Sequence, residues 1–100
     1  MKHIVVPSKT FLKALKKCMK SGKREIPAAA QEVIQLLATH DDRCLFILGT
    51  RWNDHALKGS MRGIREIHLG FDDLLLYRIN EEASVIELLD IVNHEELEKL

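Results

Sequence analysis

The sequence predicts an α+β domain in which an N-terminal strand and a helical hairpin pack on a mainly antiparallel sheet. Three observations lead there. Apolar residues recur at helical spacing through residues 8–39, in two stretches split by a charged turn. Three strand-like runs, at residues 64–69, 73–79 and 84–92, fill the last third of the chain. The breaks between those runs, Gly70-Phe71-Asp72 and Asn80-Glu81-Glu82, are short enough for hairpins. A chain of 100 residues, 46% apolar and 30% charged, makes one domain over 1–100 with a single modest core.

Residues 3–6 read as a short strand ending at Pro7. Ser8 then suits a helix N-cap, with Phe11, Leu12, Leu15 and Met19 as the apolar stripe and Gly22 as the stop. Pro27 fits the first turn of a second helix, whose stripe is Ala30, Val33, Ile34 and Leu37 and which His40, Asp41 and Asp42 end. Residues 44–48 form an apolar run that reads equally as strand or packed loop, and residues 49–63 as a polar irregular stretch. The last two strand runs are almost continuously apolar, as expected of strands covered on both faces.

Several classes are excluded or disfavoured. No run approaches the roughly 18–20 apolar residues of a membrane span, and residues 1–7 lack a signal-peptide layout. Cys18 and Cys44 lie in apolar surroundings without metal-like spacing, which predicts reduced packing residues and a cytoplasmic protein. No two of the five histidines share the three- to five-residue spacing of metal ligands, so neither a metal nor another cofactor is expected. Net charge is zero but uneven. Eight cations and no acid occupy residues 1–24, and seven acids face Lys99 alone in residues 81–100. The basic block suits phosphate binding or simply a solvated helix face.

The stretch Asp54-His55-Ala56-Leu57-Lys58-Gly59, followed by Ile67-His68, Asp72, Leu76-Tyr77-Arg78 and Asn93-His94-Glu95, resembles the signature of the YafQ toxins. These belong to the RelE/ParE group of type II toxin–antitoxin proteins, many of them ribosome-dependent ribonucleases. The resemblance implies an mRNA interferase that inhibits translation, with a cognate antitoxin, the ribosome and mRNA as partners. His55, His68, Asp72 and His94 fall on the family's catalytic positions. The chemistry implied is attack by a ribose 2′-hydroxyl on the adjacent phosphate without metal, with His94 as acid, Asp72 or His68 as base and His55 assisting. Histidine suits that work because it titrates near neutrality.

Lys58, Arg62 and Arg65 lie in the same segment as candidate RNA contacts. Strand alternation would put His68 and Glu66 on one face and Arg65 on the other, making Arg65 a better ion-pair partner than the first two. His3 and His40 match nothing in the family. The resemblance also has departures. Asp90 stands where family members often carry an arginine, the near-terminal aromatic is missing, and the chain is neutral where these toxins are usually basic. Those departures point to the alternative of a non-catalytic toxin of this fold acting on a protein such as gyrase.

Overall fold

The computed structural model describes residues 2–100; Met1, where the reading of the N-terminus begins, lies outside them. The element order is β1 (Ile4–Pro7), α1 (Lys9–Lys20), α2 (Glu25–Thr39), α3 (Asp42–Arg51), β2 (His55–Ala56), a 3-10 turn (Gly59–Met61), β3 (Arg65–His68), β4 (Leu74–Asn80), β5 (Val85–Val92) and α4 (His94–Glu98). Five strands form one sheet in the order β1-β5-β4-β3-β2. The meander from β2 to β5 is antiparallel, and β1 adds to β5 in parallel. No helix among the described residues is long and apolar enough to cross a membrane.

Local chemistry explains most boundaries. The Ser8 hydroxyl accepts the Phe11 N–H and donates to the Leu89 carbonyl, so one side chain both starts α1 and ties it to β5. The α1 stripe is rotated from the one the spacing predicts. Phe11 and Cys18 are buried with Ala14 and Leu15 packed beside them, while Leu12 and Met19 face solvent. In α2 the expected stripe is the buried one, with Ala30, Val33 and Leu37 in the core and Ile34 against it. Both cysteines are buried free thiols.

The run at residues 44–48 is neither strand nor loop but the middle of α3. Asp41 does not only end α2; its carboxylate accepts the Cys44 N–H at 2.8 Å and caps the next helix. Cys44 and Leu48, four residues apart, are the buried face, and Leu45 and Phe46 are exposed. A five-residue apolar block carries no period, which is why the sequence left it open. Two further short elements were not predicted: β2 lies in the stretch read as irregular, and α4 follows the last predicted strand. α4 begins with a capping box, Asn93 accepting the Glu96 N–H while Glu96 accepts the Asn93 N–H.

The sheet is covered on both faces. Helices α1–α3 bury Phe11, Ile26, Leu37 and Leu48 against Ile67, Leu75, Tyr77, Ile86 and Leu88. On the other face a smaller cluster of Leu74, Leu76 and Val92 is roofed by Leu57, Met61, Ile64 and Leu97. A register shift between Leu76 and Tyr77 moves the β5 partner from Asp90 to Leu88, so Leu89 bulges out and packs in the smaller cluster.

His3 and His40 form a structural pair that joins the start of β1 to the end of α2. Their ring centroids are 4.1 Å apart, and both His3 ring nitrogens and His40 Nδ1 are buried without a hydrogen-bond partner. Burial, reinforced by the His3 ring, lowers the His40 pKa below its ordinary 6.5. The folded state therefore takes up fewer protons than the unfolded chain, and stability falls as pH drops through 6.5 toward the lower folded value. His40 adopts a left-handed φ of 50°, which asparagine also tolerates. Thermal melts of the wild type and His40→Asn between about pH 7.5 and about pH 5.5 should show the steeper loss in the wild type. Parallel curves would remove His40 as the cause.

Candidate active site

The site begins with β3. Its residues alternate between faces, and the register against β4 pairs Glu66 with Leu76 and His68 with Leu74, both members of the smaller cluster. Glu66 and His68 therefore emerge on the face away from the helices, and Arg65 and Ile67 on the helix side. β2 pairs His55 with Glu66 across the antiparallel ladder, which brings the loop histidine to the same face. At the other end of the meander, the β3–β4 turn supplies Asp72 and the first residue of α4 is His94.

These side chains form a row. The His55 and His68 ring centroids are 5.9 Å apart, and those of His68 and His94 are also 5.9 Å apart. Between the first two lies the Glu66 carboxylate, only 5% exposed as a residue. Glu66 Oε1 is 2.9 Å from His68 Nε2, and Oε2 is 3.8 Å from His55 Nε2. His55 Nδ1 donates to the Asn53 carbonyl at 2.7 Å, because a carbonyl can only accept. The Asn53 side-chain amide lies 3.2 Å from His68 Nε2.

Asp72 and His94 form the second pair. Asp72 Oδ1 accepts the His94 backbone N–H at 3.0 Å and the ring Nδ1–H at 2.5 Å. Those two hydrogen bonds hold the Asp72 carboxyl below its usual range. With Nδ1 committed to Asp72, His94 is left with Nε2 as its outward-facing nitrogen, the arrangement by which a carboxylate orients a catalytic imidazole.

The cations divide as alternation requires. Lys58 and Arg62 flank the 3-10 turn, exposed and without an ion-pair partner among the described residues. Arg65 lies on the opposite side of β3, where its Nε donates to Asp54 Oδ1 at 3.2 Å and to the Tyr77 hydroxyl at 3.1 Å. The Tyr77 hydroxyl donates in turn to the Asp54 carboxylate, at 2.8 Å from each oxygen. Burial and the neighbouring Asp54 charge push the Tyr77 hydroxyl far above its usual range, so it remains a donor. This clamp fixes Asp54. His55 follows it directly in the chain, and the His68 N–H bonded to the Trp52 carbonyl fixes the loop two residues earlier.

Two residues of the site were not among the sequence candidates. Glu66 reads as an ordinary strand acid, although its alternation with His68 places it on the same face. Asp54 reads as loop polarity. The structure also revises the basis for expecting no metal. The donor atoms of His55, Glu66 and His68 all lie within 4.8 Å of one another. They come from two strands, so spacing along the chain does not reveal them. Two imidazoles and a carboxylate are a suitable donor set for zinc or copper.

Over residues 3–99 the sequence matches the family described as bacterial toxin of type II toxin-antitoxin system, YafQ. Among solved structures, it is similar to a metal-bound toxin from Helicobacter pylori, at 34% identity over 97% of this chain and 99% of that one, with a TM-score of 0.76. It shares its fold with a chain of the E. coli DinJ–YafQ toxin–antitoxin complex, at 21% identity, 97% and 98% coverage and a TM-score of 0.76. It shares it also with a chain of the archaeal RelE–RelB complex from Pyrococcus horikoshii, at 22% identity, 93% and 96% coverage and a TM-score of 0.65. No curated protein matches the sequence.

The Asp54 clamp can be tested by stability alone. Tyr77→Phe keeps the ring in its core position and deletes only the hydroxyl that serves a carboxylate with 6% side-chain exposure. Losing that donor should cost about 1–3 kcal/mol, read as a lower midpoint in urea or thermal unfolding. A change under about 0.5 kcal/mol, the size of an ordinary surface substitution, would show that the clamp is not structural.

Proposed function

The chain belongs to the YafQ family of type II toxin–antitoxin toxins, and we propose that it is a ribosome-dependent mRNA endonuclease held silent by a cognate antitoxin. The observation that carries this reading is the Asp72–His94 pair standing beside the Glu66–His68 pair, with 5.9 Å between the two rings. One phosphodiester can be reached from both pairs at once, which is the geometry that general acid–base cleavage needs.

In this reading His68 accepts the proton of the 2′-hydroxyl. The buried Glu66 carboxylate, bonded to Nε2, leaves Nδ1 for the proton and neutralises the imidazolium that forms. The 2′ oxygen attacks phosphorus, and the P–O5′ bond breaks as His94 Nε2 delivers a proton to the leaving oxygen. Asp72 is the positioning residue for His94, because both of its contacts are already to that histidine; of the two candidates for the base, this leaves His68. His55 borders the same cleft and contacts the substrate, and Lys58 and Arg62 supply cations for the phosphorane. Arg65 contributes through the Asp54 clamp.

The antitoxin part of the proposal draws on two fold relatives, DinJ–YafQ and RelE–RelB, which are complexes of toxin with antitoxin. A segment of the partner lying across the exposed row of histidines would silence it by exclusion. A second reading is a non-catalytic toxin acting on a protein target such as gyrase. It is favoured by the neutral charge and by Asp90, whose register partner Leu76 is also the partner of Glu66, which places this acid on the site's own face.

Induced expression with transcript mapping separates the two. The wild type should arrest growth and cut mRNA in the ribosome, and His94→Ala should lower cleavage by about 10²- to 10⁴-fold. Asp72→Asn should fall between them. His94 is exposed, so unfolding midpoints should be unchanged. Growth arrest that persists in His94→Ala with intact mRNA would support the protein-target reading instead.

The His55, Glu66 and His68 donors make a second test. The H. pylori relative is a metal-bound toxin, and a zinc or copper ion held by these residues here, on the His68 nitrogen that faces Glu66, would leave the imidazole's proton on Nδ1 and so block the proposed base. With the Mg²⁺ that ribosomes need left in place, cleavage should therefore survive a chelator selective for zinc and copper and fall on adding Zn²⁺ or Cu²⁺. Loss of activity under that chelator, restored by either metal, would require a metal-dependent mechanism.

A further inference from the structure

We propose that Phe71 is a stacking platform for a nucleobase of the RNA substrate, setting the position of the nucleotide beside the scissile phosphate. This deepens the nuclease reading and rests on it. Phe71 is 100% exposed. A lone exposed apolar residue is common and by itself means nothing. What distinguishes Phe71 is that the turn around it is held rigidly while its ring touches nothing.

Four contacts fix the turn. Leu69 and Gly70 both donate their N–H to the Asp73 carbonyl, at 2.8 and 3.4 Å, which closes the turn. Gly70 lies against α2 so closely that a Cβ there would sit 3.0 Å from Ile26 Cδ1. The Asp73 carboxylate is paired with Lys23 at 3.0 Å. Asp72, the residue after Phe71, holds both the backbone and the ring of His94. The turn is thus set against the helices at one end and against the candidate acid at the other. The aromatic between them directly precedes Asp72, whose carboxylate holds the His94 end of the row.

A flat ring on a fixed backbone suits single-stranded RNA. Any base offers a π face, and stacking does not require a particular sequence. The ring has only two side-chain torsions to restrict, so little rotamer freedom is lost on contact. An RNA strand with its phosphate between His68 and His94 would pass beside the turn that carries Phe71 and Asp72, because Asp72 contacts His94 directly. This gives Phe71 a positioning role: it touches the substrate, takes no proton, and fixes which phosphate falls between the two histidines.

The test uses the whole chain with ribosomes programmed with a defined mRNA. In the wild-type background, Phe71→Ala should raise KM and reduce kcat/KM by about tenfold or more, the usual effect of removing one base-stacking aromatic. Phe71→Trp should restore activity. Phe71→Leu, apolar but without a π face, should not, and full rescue by leucine would overturn stacking in favour of an apolar protein contact. Unfolding midpoints of all three variants should match the wild type, since the ring is fully solvated.

Binding is measured separately in a His94→Ala background, with 2-aminopurine placed in turn at each position of the A-site codon. Quenching at one position that disappears in Phe71→Ala is the expected result. Cleavage and quenching both unaffected by Phe71→Ala would overturn the proposal and leave the nuclease reading standing. If the wild type cuts nothing, the nuclease reading fails alone, and the quenching decides whether Phe71 stacks; with no quenching at any position, both fail.

Discussion

The alternation of β3 is the constraint on which the rest of the molecule depends. The strand is only four residues long, Arg-Glu-Ile-His, yet each residue has a separate assignment. Ile67 enters the main core, Arg65 reaches the Asp54–Tyr77 clamp, and Glu66 and His68 meet on the opposite face. A slip of one residue would exchange all four. The slip is prevented by pairing on both sides, with β4 under Ile67 and Leu75 and with β2 through His55 and Glu66. Fold stability and site geometry thus rest on the same ladder.

Glu66 is the costly member of that strand. A carboxylate so deeply buried requires compensation for lost hydration. Its oxygens face His68 and His55, and no Lys or Arg is paired with it among the described residues. Histidine differs from those cations because it can lose its proton again. An imidazole can give one N–H to a carboxylate and keep a second ring nitrogen as an acceptor, which lysine and arginine lack. The helix-side clamp shows the contrasting choice: Asp54 is buried against an arginine and a tyrosine kept protonated, a fixed arrangement suited to holding a loop.

How much of this was legible in the sequence depends on the range of each interaction. Ser8 as a cap, the α2 stripe and the three meander strands follow from local spacing, and the structure has them. The face of Arg65 follows from period two within a single strand. What stayed hidden needed a contact between segments. Asp41 could be read as a helix end or a helix start, and only the packing of Cys44 and Leu48 decides for α3. Glu66, and its grouping with His55 and His68, depends on β2 lying beside β3, eleven residues apart from His55 to Glu66. Such a group is invisible to any search for ligands on one helix or loop. Phe71 was legible only as part of a turn, since exposure is a property of what fails to cover it.

Asp90 remains the feature most at odds with a phosphate cleft, and the structure moderates the conflict. The β-bulge at Leu89 puts Asp90 opposite Leu76, two strands from Glu66, so it is a neighbour of the site and not a member of the histidine row. One carboxylate oxygen accepts the N–H of the next residue, Ile91, at 2.8 Å. Burial pushes the Asp90 carboxyl above its usual pKa, the opposite direction from Asp72. Two acids near one cleft are thus driven apart: Asp72 is held ionised to orient His94, and Asp90 is shifted toward its neutral form by desolvation. Bringing a phosphate close would push Asp90 further the same way, since a like charge disfavours ionisation. What burial changes is the direction in which its charge shifts, and its place on the face that carries Glu66 is what the protein-target reading rests on.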